Sequence, residues 1–528
     1  MAAAVAPRAA APSAGAFQLN KWAIAVAVAL GALLEIVDTS IVNVALPQVQ
    51  ASLGATLAQV TWVVSGYAVA NVIILPMTAW LGERFGKKTY FIFSLVGFTG
   101  ASMLCGVAQS LTMLIVARIL QGLMGGGLLA KAQAILFETF PKEEQAMAQA
   151  FFGIIVISGP AIGPTLGGYL VTNVDWRWIF YVNLPVGIVA VLMCSAFLPP
   201  DAKHEGETKA KVDFVEIGFL AAGLGCLQAL LENGQEDDWF ESPTIVMLGV
   251  ISAVSLILFV GRSLRSEHPV VDLRVLRYRS LWSGCLLSIT VGMALYGALF
   301  SIPIFAQSIL HYTSQDTGIL LLPGALSSLV AMPIGAQLVR RFDPRIILVG
   351  GSLILTSQMF VLGRLTVSTG AGDLFWPLIF RQFGTVMMFL PLNMATLGDI
   401  PKKDIGKATG LFSLTRQLGG SVGVALLSTM LGARITFHRA VMTEHMIPGD
   451  PQTMARVGAY TAGFLARGDD LATAKTKAAA ALGGAISNQA AVMSFNDSFF
   501  ATAVLILATL PLVLLLGKGG KGPVEAGH

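Results

Sequence analysis

The side chains able to do chemistry in this chain are few, and they lie in apolar company. The stretch "GALLEIVDTSIVNVALPQ", residues 31–48, sets two carboxylates, Glu35 and Asp38, inside a long apolar run. Three residues apart, they share nearly one face of a helix. A separate run, "ARILQGLMGGG" at 117–127, carries Arg118, with Lys131 shortly after it. At 1.5 Å per residue, Arg118 lies ~10 Å below one end of its span, and Glu35 and Asp38 ~10 and ~6 Å below the same end of theirs. This arithmetic puts Glu35 slightly nearer the level of Arg118. Ionisable groups buried at one depth of a membrane are costly unless paired or wetted, and they mark function by default. Loss of water favours a neutral carboxyl and a nearby guanidinium favours a charged one, so a site where the two compete can take up or release a proton. A purely structural ion pair is the other reading of the same residues.

Composition says what must hold these groups. Of 528 residues, 55% are hydrophobic and only 12% charged, and the mean hydropathy is +0.73. A soluble domain carries about 25% charged residues, so this is an integral membrane protein. Its apolar runs are long enough for helices crossing a ~30 Å core, which excludes the alternating ten-residue strands of a transmembrane barrel. The net charge of +4 points to no nucleic-acid partner. Cys105, Cys194, Cys226 and Cys285 lie in apolar runs without CxxC pairing, and the histidines (His204, His268, His311, His438, His445, His528) are scattered through loops and tails. There is no phosphate-binding loop, no HExxH and no metal-ligand cluster, so neither metal nor cofactor is expected and the chain is not read as an enzyme.

Apolar runs between polar punctuation give fourteen spans: 22–46, 57–80, 89–108, 111–137, 146–171, 178–198, 213–232, 243–262, 280–309, 314–339, 346–365, 374–398, 406–433 and 496–516. The first reads as an uncleaved span rather than a signal peptide. Lys and Arg accumulate in alternate connections (Arg84, Lys87, Lys88; Lys142; Lys203, Lys209, Lys211; Arg262 to Arg279; Arg340, Arg341, Arg345; Lys402, Lys403, Lys407) and at both ends (Arg8, Lys21, Lys518, Lys521). The opposite connections hold chiefly Arg177 and Arg364. The positive-inside rule then makes both termini cytoplasmic, which requires an even number of spans. The segment 434–495 carries six cations yet falls outside, as long loops can, and its Ala-rich part, "DDLATAKTKAAAALGGAISNQAAVMSF", predicts helix on or above the outer surface.

An internal repeat organises these spans. "LPMTAWLGERFGKK" (75–88) and "MPIGAQLVRRFDPR" (332–345) match at Pro76/Pro333, Ala79/Ala336, Leu81/Leu338, Arg84/Arg341, Phe85/Phe342 and Lys88/Arg345, all at an offset of 257. Each copy follows the second span of its half on the same side, so the repeat is parallel. The expected architecture is an all-α polytopic protein: a tail 1–21, a six-helix bundle 22–198, two inserted helices within 199–279, a six-helix bundle 280–516 that includes the loop 434–495, and a tail 517–528.

Four motifs in order, "VDTSIVNVALP" (37–47), "GERFGKK" (82–88), "ARILQGLMGGG" (117–127) and "SGPAIGPTLGGYL" (158–170), followed by "DWRWIFYVNLPVG" (175–187), together resemble the major facilitator superfamily. Within it, the chain is similar to the fourteen-helix drug:proton antiporters of the EmrB/QacA type. The resemblance implies that Gly82, Glu83, Arg84, Gly86, Lys87 and Lys88 gate the inward side, Glu83 standing where an Asp is common; a topology signal alone is the other reading. It implies that Gly159, Pro160, Gly163, Pro164, Gly167 and Gly168 form an antiporter motif sealing the halves, acting through close packing and bends. It favours Asp38 over Glu35 as the coupling residue, paired with Arg118, and makes Arg381 the counterpart of Arg118 in the twelfth span.

If the first, fourth, ninth and twelfth spans line the cavity, as the family implies, candidate ligand contacts are Asn43, Gln121, Met293, Tyr296, Phe300, Gln307, Arg381, Gln382 and Asn393, with Trp62 and Asn71 of the second span. Lys131 either snorkels inward or faces the cavity. Arg416 either binds loop carbonyls or acts in function. The expected activity is proton-coupled efflux of amphipathic toxic compounds across a bacterial inner membrane, with protons as the only coupling agent. The alternative is a proton-coupled or facilitative transporter of a specific metabolite or nutrient. Expected partners are lipophilic small molecules, membrane lipids and, by resemblance, a periplasmic adaptor and an outer-membrane channel.

Overall fold

The computed structural model describes residues 14–201, 212–444, 446 and 450–516. Arg8, Lys203, Lys209, Lys211, Lys518 and Lys521, together with His204, His445 and His528, lie outside the described residues. Among the described residues, fourteen helices are long and apolar enough to cross a membrane. Spans 1 to 6 are Lys21–Leu53, Trp62–Phe85, Lys87–Gly106, Leu111–Thr139, Lys142–Asn173 and Trp178–Phe197. Spans 7 and 8 are Phe214–Asn233 and Pro243–Arg265. Spans 9 to 14 are Arg279–Ser308, Ser314–Arg341, Pro344–Leu362, Ala371–Leu397, Ile405–Glu444 and Leu471–Leu515.

Small residues decide which helices touch. On span 5, Gly159, Gly163 and Gly167 lie against Ile36, Ser40 and Ile41 of span 1. The next residue, Gly168, lies against the Gln315 backbone of span 10. The motif glycines therefore face two ways: three close the first half internally, while Gly168, helped by Thr165 against Gly318, seals one half to the other, as Gly153 against Met332 does further along span 5. Ser158 Oγ and Ser328 Oγ, 2.7 Å apart, add a polar contact to that seal. The second half repeats the device where Gly292, Gly419 and Gly423 let spans 9 and 13 meet backbone to backbone. The inserted spans 7 and 8 pack on each other, and span 7 packs on spans 2 and 13, with Gln228 Nε2 donating to Ser421 Oγ at 2.9 Å.

Most of the described part of 434–495 is helical, including the Ala-rich stretch, which runs into span 14 as one helix, Leu471–Thr509. Span 13 runs 40 residues, or ~60 Å, twice a ~30 Å core, so it continues past the membrane. A further helix, Pro451–Leu465, packs on the start of span 14 there.

Span 4 is not one helix. It is an upper piece, Leu111–Gly125, and a lower piece, Leu128–Thr139, separated at Gly126 and Gly127. Gly127 has φ +93°, a left-handed conformation that a side chain resists, and a Cβ there would collide with the side chain of Thr78. Three successive glycines make this break affordable to the chain. It frees the first N–H groups of the lower piece for partners outside their own helix. Replacing Gly127 by Ala is expected to cost about 1–2 kcal/mol from the φ alone, lowering the thermal midpoint in detergent. Gly100→Ala on span 3, where a Cβ meets nothing within 4 Å, should leave it unchanged or slightly raised.

Candidate functional site

The polar groups of the first half converge on Asp38 and Arg118. Arg118, 1% exposed, donates from Nη1 to Asp38 Oδ2 at 2.6 Å and to Gln121 Oε1 at 2.6 Å. Its Nε donates to the Val63 carbonyl at 3.0 Å, and the guanidinium lies 4.3 Å from the centre of the Tyr67 ring. Asp38 Oδ1 accepts from Gln121 Nε2 at 2.8 Å and from Asn183 Nδ2 at 3.0 Å. Asn183 also reaches Ser102 Oγ at 3.0 Å, so the network ties spans 1, 2, 3, 4 and 6. Such a pair is held because each charge, once dehydrated, needs the other.

Glu35 stands apart, although the depth arithmetic placed it nearer Arg118. Its Oε1 accepts from Asn71 Nδ2 of span 2 at 2.8 Å, and its Oε2 accepts from the backbone N–H of Leu129 at 2.8 Å. That N–H belongs to the first turn of the lower piece of span 4, so the carboxylate caps a broken helix. One turn along span 1, the two acids serve different neighbours because their side chains leave the helix in different directions.

The sequence profile of the Major Facilitator Superfamily matches residues 28–424. The chain belongs to the major facilitator superfamily. It is 32% identical to "Multidrug export protein EmrB" of Escherichia coli (strain K12) over 94% of this chain and 96% of that protein. It is 29% identical to "Fatty acid resistance protein FarB" of Neisseria gonorrhoeae over 96% and 97%. The solved structure of the human organic anion transporter MFSD10 superposes with TM-score 0.56 at 13% identity, covering 92% of this chain and 99% of that one; this supports the fold. The protein is thus a multi-pass membrane transporter, homologous to bacterial exporters, and not an enzyme.

The candidate ligand contacts of this superfamily member fall into two groups. Asn43, Trp62, Tyr296 and Gln307 keep accessible surface, Trp62 and Tyr296 at 41% each, and Phe300 is half-buried. Gln121 is corrected: fully buried and bonded to both Asp38 and Arg118, it is a brace, not a free wall residue. Gln382 donates to the Ile157 carbonyl of span 5 at 3.2 Å, and Asn393 accepts from Gln133 Nε2 of span 4 at 3.0 Å, so both cross between the halves. Arg381 is buried and its Nε has no partner among the described residues. Span 9 contains no Asp or Glu, and Arg381 therefore differs from Arg118 in lacking a facing acid. Lys131 does not snorkel: it is buried with Nζ 2.9 Å from the centre of the Tyr90 ring and beside a small cavity at the seam. Arg416 lies over the Phe389 and Phe412 rings. Asn183 and Gln133 were missed; amides within apolar spans were their only signal.

At the cation-rich end, "GERFGKK" has two tasks. Lys88 Nζ donates to the Ser195 and Leu198 carbonyls at the end of span 6, while Asp201 accepts from the Lys88 and Thr89 N–H groups at 2.8 and 3.0 Å at the start of span 3. Burial raises the Asp201 carboxyl, but Thr89 and these backbone donors outweigh it and hold it below the usual carboxylate range. Gly86, with φ +94°, leaves room for that carboxylate. The second task spans the halves: Glu83 Oε1 lies 3.8 Å from Lys407 Nζ, Lys87 bonds Glu138 at 2.7 Å, and Lys402 Nζ donates to the Glu138 carbonyl at 2.9 Å. Gly82 lines the seam cavity, and Arg84 lies over the Trp80 ring. The repeat is legible here, since Arg345, matching Lys88, donates to the Leu516 carbonyl at the end of span 14, and Asp343 accepts from the Arg345 N–H.

Removing one partner of the Asp38–Arg118 pair leaves an uncompensated buried charge, costing about 3–5 kcal/mol. Asp38→Asn and Arg118→Gln should each sharply lower thermal stability in detergent. The double variant should lose less than the sum, a coupling measurable as a double-mutant cycle.

Proposed function

We propose that the protein is a proton-coupled antiporter that exports amphipathic toxic compounds from a bacterial cell across the inner membrane by alternating access. The observation that carries this reading is the acidic pair Glu35 and Asp38, buried with Arg118 among membrane-spanning helices, since dehydrated ionisable groups at that depth mark ion pathways. Both termini and the cation-rich connections face the cytoplasm. Two six-helix bundles, 22–198 and 280–516, move about the contact of spans 5 and 10, and the pair within 199–279 rides on their flank.

In this reading the structure stands with its cytoplasmic side closed. Glu83–Lys407, Lys402 to Glu138 and Gln133 to Asn393 hold the halves together there. Asn43, Trp62, Tyr296, Phe300 and Gln307 supply apolar and amide surface to the ligand without demanding one geometry, with Arg381 as a further cation in the second half. Proton loading from outside would follow drug release, and proton loss inside would follow the return. The names of the relatives, multidrug export and fatty-acid resistance, both fit amphipathic cargo. A periplasmic adaptor and an outer-membrane channel would carry cargo onward, as the family resemblance implies.

The test is a susceptibility panel in an efflux-deficient host, followed by reconstitution with the compounds it identifies. Substrate addition to energised vesicles should move protons opposite to substrate, and a protonophore should abolish concentrative export. Co-directional proton movement would instead support the metabolite symporter, and export indifferent to the protonophore would remove proton coupling.

A further inference from the structure

We propose that Glu35, rather than Asp38, exchanges the proton, and that its charge reaches the cytoplasmic seam through the backbone N–H of Leu129. The proposal rests on the proton-coupled reading above and divides the labour within its acidic pair. Asp38 is committed: a guanidinium at 2.6 Å and two side-chain amides hold its oxygens. Protonating it would strand the buried charge of Arg118. Glu35 has only neutral donors, Asn71 and Leu129, and takes part in no ion pair among the described residues.

Among the other titratable groups around Glu35, Arg416 alone opposes its charge, and only through space: no ion pair joins the two among the described residues. Those within electrostatic reach are Asp38 on its own span, Tyr67 on span 2, Tyr90 on span 3, Tyr296 on span 9 and Arg416 on span 13. On span 4, Arg118 is bound to Asp38 and Lys131 lies over the Tyr90 ring. Spans 5 and 6 offer no Asp, Glu, Lys, Arg, His or Tyr at this level. Asn71 suits both states of the acid. Its Nδ2 donates to the carboxylate, and its Oδ1, buried and without a partner among the described residues, can accept from the protonated acid once the amide turns over.

The consequence of protonation is mechanical. Leu129 lies in the first turn of the lower piece of span 4, and this piece carries both Gln133, bonded to Asn393, and Glu138, bonded through its carbonyl to Lys402. These are contacts to the second half. A carboxylate holds the N-terminus of that piece with a charge-assisted bond and a favourable dipole interaction. A proton taken from water at the open end converts Glu35 to a neutral acid and weakens both. The Gly126–Gly127 break lets the lower piece move without the upper one, which stays fixed by Arg118. Protonation therefore favours opening of the seam, and transfer of the proton to cytoplasmic water restores the carboxylate and the present arrangement.

The test places spin labels at Lys142 and Lys403, one in each half at the cation-rich end, and measures their separation against pH in the full-length protein. Wild type should shift toward long distances in acid, by about 5–30-fold in population. Glu35→Gln should give the long distance at every pH, and Asp38→Asn should keep the pH response despite lower stability. Infrared difference spectra between acid and alkaline buffer need only a folded Glu35→Gln variant and should lose the protonated-carboxyl band present in wild type. A Glu35→Gln variant that keeps both the band and the distance change, or an Asp38→Asn variant that folds and loses both, overturns the assignment. Wild-type export of ethidium that ignores an imposed proton gradient, with the band still lost in Glu35→Gln, would overturn the coupling reading but not the titration of Glu35.

Discussion

A guanidinium kept from water inside a bundle of helices must be neutralised and hydrogen-bonded, and much of the first half is arranged around meeting that need for Arg118. Asp38 supplies the countercharge, Val63 and Gln121 take further donors, and Tyr67 offers a ring face. Asn183 and Ser102 extend the network to spans 6 and 3. Five helices are thereby fixed relative to one another at one depth. Glycines on span 5 bring span 1 close enough for its other face to present the acids inward.

Rigidity in the upper part contrasts with a built-in joint below it. The glycine break at Gly126–Gly127 separates a piece of span 4 bound to Arg118's network from a piece bound to the second half. Glu35 is the group touching both worlds, since it rises from span 1 and receives its bond from the lower piece. A carboxylate at a helix N-terminus is a modest interaction, about 0.3–2 kcal/mol. That is the scale on which a transporter must balance two conformations, because a stronger bond would lock it in one.

The two halves share architecture but not charge. At the cation-rich end, Lys88 and Arg345 each bind the end of the sixth span of their half, and Asp201 and Asp343 each bind the start of the third. In the core the symmetry fails: Arg118 faces an acid, whereas no acid stands on span 9 to meet Arg381. The duplicated role is helix capping, which any transporter of this plan needs. The unduplicated feature is the buried acid–guanidinium pair, which only the first half carries.

Much of this was legible in the sequence because it depends on local quantities. Fourteen spans follow from apolar length, the parallel halves from the 257-residue repeat, and the shared level of the two acids and Arg118 from residue depth at 1.5 Å per residue, while the resemblance singled out Asp38. What depth could not give was azimuth. It placed Glu35 nearer Arg118, yet the side chain turns to Asn71 and Leu129. The resemblance could not give it either: it implied Gln121 as a ligand contact, yet the residue braces the ion pair, and it implied one seal from the four glycines, yet three face span 1. "GGG" at 125–127 does not by itself choose between a continuous helix and a break, since glycine permits either and the neighbouring Thr78 and Asn71 decide. The direction in which a side chain leaves its helix is set by packing between distant segments, and for that reason the tertiary structure alone decided which acid is committed and which is free.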